Sequence, residues 1–151
     1  MVQIMANRKG EAARREGFTL VELLVVLVIL GLLATVVAIN VLPSQARALK
    51  EKARADVAVL EQAVETYRIE LFTFPLTEQG LDALVAAPPG LNNPERYREG
   101  GYIRRLPKDP WGNPYQYRNP GEDGRPFDIF SFGADGRPGG EGDDADIGNW
   151  G

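Results

Sequence analysis

The sequence predicts an α+β protein in which one long N-terminal helix leads into a small head with a short antiparallel β-sheet. Two observations predict this fold class. An almost uninterrupted apolar run, 18–42, passes into a segment whose apolar residues recur at spacings of three and four, the period of a helix. After residue 72, short aromatic and aliphatic runs alternate with turns rich in glycine and proline, which is typical of short strands.

The composition excludes several classes of function. The 151 residues fit one domain and include no cysteine and no histidine. The chain therefore has no disulfide framework, no thiolate nucleophile and no imidazole for acid–base catalysis or metal binding. Any metal would be held by oxygen, which favours calcium or magnesium. Residues 1–17 carry +2 of a net charge of −4, so the remainder carries −6; this acidic body without a basic stripe argues against a nucleic-acid partner.

The first 42 residues divide into a leader and a membrane-spanning stretch. Residues 1–17 are polar and charged and end at Gly17. Residues 18–42 supply about the 20 residues that cross a bilayer as a helix. Glu22 is the one charged residue in this stretch. A carboxylate there costs roughly 2–3 kcal/mol in a membrane, so Glu22 should have a partner.

Residues 43–72 are predicted to continue the same helix as an amphipathic stem. Their charged residues lie between apolar positions at helical spacing, namely Leu49, Ala53, Val57, Leu60, Val64, Tyr67 and Leu71. Pro43 is expected to kink one continuous helix rather than to separate two. The stem is therefore expected to lay its apolar face on the head.

The head, 73–151, is predicted in three parts. Residues 73–110 form loops with one helical piece around 78–87, and residues 109–112 read Asp-Pro-Trp-Gly, a turn in which Gly112 takes a positive φ. Residues 111–132 contain two strands, around Tyr115 and Tyr117 and at 127–132, joined by a turn at 119–124. Residues 133–151 form a tail rich in glycine and aspartate.

The segment Gly17-Phe18-Thr19-Leu20-Val21-Glu22, between the basic leader and the apolar run, resembles the processing site of type IV pilins and type II secretion pseudopilins. The resemblance implies a type IV pilin-like fold and cleavage between Gly17 and Phe18 by a prepilin peptidase, which also methylates the Phe18 amine. It implies a single-pass inner-membrane protein with a cytoplasmic leader and a periplasmic head, in which Glu22 pairs with the Phe18 amine of a neighbouring subunit. The alternative is a secretory signal peptide cleaved near Ala46-Arg47-Ala48.

The head resembles that of the major pseudopilins of type II secretion in three phrases, at 77–84, 100–107 and 109–115. This resemblance implies a structural subunit without enzymatic activity, which waits in membrane lipid and then forms a homopolymeric periplasmic fibre that drives protein export. Minor pseudopilins and the inner-membrane assembly platform are the implied partners. The alternative is a type IV pilin of a surface fibre. The sequence departs from this family in one respect. The proline that usually follows soon after a Val-Val pair, here Val36-Val37, is absent, and a proline comes later, at Pro43.

The tail from Gly133 onward has five acidic residues and one basic residue, Arg137. By itself this pattern is typical of a solvated tail, and it does not match an EF-hand loop. The resemblance implies that the tail binds one calcium ion in a structural role. It makes Asp135 the best side-chain ligand, Asp143 or Asp144 the second, and the carbonyls of Phe132 and Arg137 further ligands. Asp128, in a strand, is predicted to be structural, and the role of Asp146 is left open.

Overall fold

The computed structural model describes residues 17–151, and for 38–43 it describes the backbone alone. The predicted leader, apart from Gly17, lies outside the described residues. The chain divides into two compact units, Met1–Val41 and Leu42–Gly151.

The long helix is present as predicted. Helix α1 covers Leu20–Leu71 without interruption, so Pro43 does not separate two helices, and a bend there stays a prediction. The helix ends where Phe72 takes a left-handed conformation with φ of 60°. Pro75 follows and disfavours a further turn. The helix therefore ends one residue before the predicted end of the stem at residue 72.

In the first unit, the described helix exposes its apolar side chains on every face. Residues Leu20–Val37 are long and apolar enough to cross a membrane, and none of them is buried within the chain. An apolar surface of this extent marks contact with lipid or with another protein. The length and composition of this segment agree with the predicted membrane-spanning stretch.

In the second unit, one face of α1 forms one side of the hydrophobic core. The buried positions include six of the seven predicted ones: Ala53, Val57, Leu60, Val64, Tyr67 and Leu71. Leu49 was predicted to join them but is 36% exposed, so it lies at the margin of the buried face. Leu81, Phe127 and Ile129 pack against this face. Each fully buried side chain of this size contributes about 2 kcal/mol.

The predicted helical piece around 78–87 is shorter and tighter in the structure. It is a single 3₁₀ segment at Gly80–Leu84, closed by a hydrogen bond of 2.9 Å from Val85 N–H to the Asp82 carbonyl. Leu81 and Leu84, three positions apart, are both buried in the core. A 3₁₀ turn places residues at that spacing on one face, so packing accounts for the tighter geometry.

The sheet has three antiparallel strands, one more than the sequence predicted. Strand β1 is Gln116–Arg118, β2 is Asp128–Ser131 and β3 is Ile147–Gly148, in the order β1-β2-β3. The first two strands confirm the predicted pair, with Tyr117 opposite Ile129. β3 pairs Ile147 with Ser131. The tail gave no strand signal, because β3 is two residues long and only Ile147 buries an apolar side chain there.

Asn149 extends the edge that β3 provides. Its backbone N–H donates to the Ile129 carbonyl at 3.1 Å, and its side-chain oxygen accepts from Ile129 N–H at the same distance. Its amide also donates to the Phe127 carbonyl at 3.3 Å. One residue therefore satisfies strand groups that a longer β3 would have satisfied.

The predicted turn at 109–112 is confirmed. Asp109 is buried, and its carboxylate accepts from the backbone N–H of Trp111 at 3.1 Å and of Asn113 at 2.7 Å. Its second oxygen accepts from the Ser131 hydroxyl at 2.6 Å, and Gly112 has φ of 93°. The Asp side chain thus organises the turn and fixes it to β2.

Asp128 has the structural role that the sequence predicted. It is fully buried and accepts from the guanidinium groups of Arg118, at 2.7 Å, and Arg125, at 2.6 Å, and from Glu122 N–H at 2.9 Å. Burial by itself would raise the pKa of Asp128, but hydrogen bonds from Arg125, the Glu122 backbone and Arg118 outweigh it and hold the pKa below its usual value.

We expect Asp128→Asn to destabilise the head by about 2 kcal/mol, because two guanidinium groups lose their anionic acceptor. The wild-type advantage should be complete above about pH 4, where an unfolded aspartate is ionised, and should vanish as the pH falls through the lower folded pKa. Urea unfolding of both chains at several pH values measures this difference.

The matched control is Asp123→Asn, which removes a carboxylate that is 85% exposed and lies 3.5 Å from Arg125. This variant should change stability little at any pH. An Asp128→Asn variant as stable as the control would contradict a structural role for Asp128.

Candidate functional sites: the N-terminal segment and the C-terminal loop

The first site is the predicted processing segment at the start of α1. Phe18 is 79% exposed and lies two residues before the helix. Thr19 N–H donates to Glu22 Oε2 at 3.1 Å, and Glu22 N–H donates to Thr19 Oγ1 at 3.2 Å. This reciprocal pair is a capping box, which satisfies helix N–H groups that have no partner in the first turn.

Glu22 therefore has a local role in addition to the predicted intersubunit one. Both hydrogen bonds from Thr19 reach Oε2, and among the described residues no hydrogen bond to Oε1 occurs. A carboxylate with one oxygen in a cap can still accept from a second donor. The local geometry is thus compatible with both roles, and only a test that separates charge from capping can distinguish them.

The second site is the C-terminal loop, 133–146, whose two ends lie against each other. Ala134 N–H donates to the Asp143 carbonyl at 3.2 Å. A Cβ on Gly133 would stand 2.8 Å from the Ala145 carbonyl oxygen, and one on Gly140 would stand 2.5 Å from that of Asp144. Only glycine permits these approaches. The two ends of the loop therefore pack closely, with backbone carbonyl oxygens directly against Gly133 and Gly140.

The predicted ligand residues take different positions in this loop. Asp135 is exposed, and its Oδ1 accepts from Arg137 N–H at 3.0 Å. Asp143 Oδ1 lies 2.7 Å from Lys50 Nζ on α1. Asp144 is exposed in the 3₁₀ turn Gly142–Asp144, and Phe132 is half-buried. Within residues 17–151, no three carboxylate-bearing side chains come together as a metal cluster.

Asp146, whose role the sequence left open, carries the feature that most favours a cation. Its Oδ2 accepts from Gly139 N–H at 3.0 Å across the loop, whereas its Oδ1 is buried without a hydrogen-bond partner in the described chain. A buried carboxylate oxygen without a donor is costly unless a cation or water satisfies it.

The donor groups of the loop are of the types that fit a calcium ion, because calcium accepts carbonyl oxygens, carboxylates and water together. The loop provides closely packed carbonyls and an unsatisfied carboxylate oxygen on Asp146. The sequence alone did not identify Asp146 as a candidate ligand, and it did not reveal the ion pair between Lys50 and Asp143. The available signal for Asp146 was its position directly before Ile147, the one buried apolar residue of the tail.

The N-terminal segment and the fold first define a class of protein. A model of the prokaryotic N-terminal methylation motif matches residues 12–38, which contain Gly17, Phe18 and Glu22. This segment and the apolar helix fit a membrane-anchored pseudopilin.

A family model described as type II secretion system (T2SS), protein G, matches residues 40–150. The chain belongs to this family, whose members are structural pseudopilin subunits and not enzymes. The predicted resemblance is thereby confirmed, and these comparisons give no support to the alternative of a surface-fibre pilin.

Similar relatives named type II secretion system core protein G cover nearly the full length of the chain. The protein from Vibrio cholerae is 53% identical over 91% of this chain and 92% of its own length. The protein from Pseudomonas aeruginosa is 47% identical over 91% and 96%. A crystal structure of the major pseudopilin of enterohaemorrhagic Escherichia coli matches with a TM-score of 0.63 and 46% identity, over 74% of this chain and 94% of that one.

Proposed function

We propose that this protein is the major structural subunit of a type II secretion pseudopilus. Subunits wait in the inner membrane, with the leader in the cytoplasm and the head in the periplasm, and then assemble side by side into a periplasmic fibre. The growth of this fibre drives folded proteins across the outer membrane. The single observation that carries this proposal is the family match over 40–150, joined to the methylation motif over 12–38.

The exposed helix of the first unit supports polymerisation as the functional principle. Its apolar side chains find no cover within the described chain, so lipid or other subunits must provide it. Lipid supplies the cover before assembly, and copies of the same helix supply it in the fibre. Minor pseudopilins and the inner-membrane assembly platform complete the set of proposed partners.

The N-terminus is proposed to mature by cleavage between Gly17 and Phe18, followed by methylation of the Phe18 amine by prepilin peptidase. Phe18 is exposed and precedes the helix, so this bond lies outside the helix, where a protease can reach it. Glu22 then pairs with the Phe18 amine of a neighbour, which removes two uncompensated charges from hydrocarbon.

The loop 133–146 is proposed to bind one structural calcium ion. Asp135, Asp144 and Asp146 are the side chains that would hold it, together with backbone oxygens such as those of Phe132 and Arg137. When bound, the ion would supply charge compensation and cross-linking of the loop rather than catalysis. This role fits a head that has no disulfide to stabilise it.

The test is complementation of a bacterium that lacks its own protein G. We expect the chain to restore export of a secreted enzyme, and mass spectrometry should find a mature chain that begins at N-methylated Phe18. A restored strain in which the mature chain begins near Leu49 would contradict the proposed anchoring.

The control for this experiment is Gly17→Leu, which places a bulky side chain at the bond to be cut. It should leave the leader attached and should fail to restore export, although the sequence from Phe18 onward is unchanged. Efficient cleavage and export by this variant would contradict the proposed processing site.

A further inference from the structure

Lys50 differs from its neighbours Lys52 and Arg54 on the helix in the residue with which it forms an ion pair. Lys52 pairs with Asp56, and Arg54 pairs with Glu51, both within α1. Lys50 instead reaches out of the helix to Asp143 in the C-terminal loop, with 2.7 Å between Nζ and Oδ1. Its side chain is only 23% exposed, whereas that of Asp143 is 61% exposed. The Lys50 side chain is therefore partly buried, and its ion-pair partner lies in the C-terminal loop.

The residue that Lys50 contacts is also the one through which the loop closes. The Asp143 carbonyl accepts from Ala134 N–H at the opposite end of the loop. The next residue, Asp144, donates to the Glu141 carbonyl at 3.2 Å and lies against Gly140. Fixing the side chain of Asp143 therefore fixes the short turn that brings the two ends of the loop together.

We propose that Lys50 is a positioning residue for calcium. We further propose that Asp143 is a latch, meaning a residue whose ion pair with Lys50 holds the loop on the stem, rather than a metal ligand. This inference rests on the calcium loop of the proposed function. An ammonium group at 2.7 Å occupies one Asp143 oxygen, and a calcium ion on the other oxygen would be repelled by that same positive charge. Asp144 and Asp146 then remain as the carboxylates of the closing segment, and Asp146 has a buried oxygen free for the ion.

The two possible roles of Asp143 predict opposite effects of removing Lys50. If Asp143 is a latch, Lys50→Met frees the closing turn and weakens calcium binding, by about threefold to tenfold for a lost ion pair that orients a site. If Asp143 is a ligand, Lys50→Met removes a competitor and a repulsive charge, so calcium should bind more tightly.

The experiment is a calcium titration, by calorimetry, of the full chain in detergent. We expect Lys50→Met and Asp143→Asn to weaken binding to the same extent, and the double variant to be no weaker than either one, because both remove a single interaction. Asp146→Asn should weaken binding by more than about 30-fold, as expected for a lost ligand. Lys52→Met, which breaks a pair within the helix, is the matched control and should not change the affinity.

Two results with the variants would overturn the inference: tighter binding by Lys50→Met, or an Asp143→Asn loss equal to that of Asp146→Asn. A wild-type chain that binds no calcium would also overturn it. That last result would leave the fibre-forming function standing, because export and N-terminal processing are measured separately in the complementation experiment.

Discussion

Glu22→Ala is expected to leave leader cleavage normal and to reduce fibre assembly severely. Cleavage depends on the residues at the cut bond, which this variant keeps. During assembly of the variant, however, the Phe18 amine of each added subunit would lie in apolar surroundings without its anionic partner. A loss of about 2.5 kcal/mol per contact weakens each addition on the order of 50-fold. Immunoblots of the processed chain and electron microscopy of sheared fibres measure the two steps.

The capping box provides the control that separates charge from local helix structure. Glu22→Gln keeps an oxygen that can accept from Thr19 N–H, at 3.1 Å in the wild type, but it carries no charge. If pairing of charges drives assembly, the Gln and Ala variants should fail alike. Normal fibres from Glu22→Gln would instead assign the role of Glu22 to capping, and normal fibres from both would remove any role in assembly.

Removal of calcium is expected to lower the melting temperature of the head by about 10 °C. At a free calcium concentration 100 times Kd, a site present only in the folded state contributes about 2.7 kcal/mol. In a domain of this size each kcal/mol corresponds to roughly 4 °C or more. Circular dichroism melts of the full chain in detergent, with calcium and with a calcium chelator, measure the shift.

The control for the melting experiment is Asp146→Asn. It keeps an acceptor for Gly139 N–H, which lies 3.0 Å from the carboxylate, while it removes the charge that the ion needs. Its melting temperature should be low and independent of the chelator. An equal melting temperature of the wild-type chain in both conditions would exclude a stabilising calcium ion.

The parts of the fold that depend on repeated local patterns could be predicted from the sequence. The helical period of the stem located its buried face, because a stripe that recurs over several turns defines one side of a helix. Leu49 was the exception, since burial at the edge of a stripe depends on how far the head extends. β3 could not be predicted, because pairing with β2 defines it and two residues carry no period.

The candidate sites likewise divide into features that a local sequence motif reveals and features that exist only in the folded chain. Gly17, Phe18 and Glu22 lie within six consecutive residues, so their motif could be recognised directly, and the match over 12–38 confirms an N-terminal methylation motif. The capping role of Glu22 could also have been read from Thr19 three residues earlier. By contrast, the contact between Lys50 and Asp143 joins the stem to the tail and exists only in the folded chain. The buried Asp146 oxygen is likewise a product of loop closure, which composition does not reveal.

The edge strand β3 and the hydrogen bonds of Asn149 also set the order in which the sheet of the head can be completed. In the middle strand, Ile129 obtains both of its partners on that edge from Asn149, which is synthesised after the three strands of the sheet. A chain synthesised only as far as β2 therefore holds two strands with an open edge, which is a template for unwanted pairing with other chains. The segment 147–149 closes that edge, so the sheet is protected from such pairing only once this segment is in place.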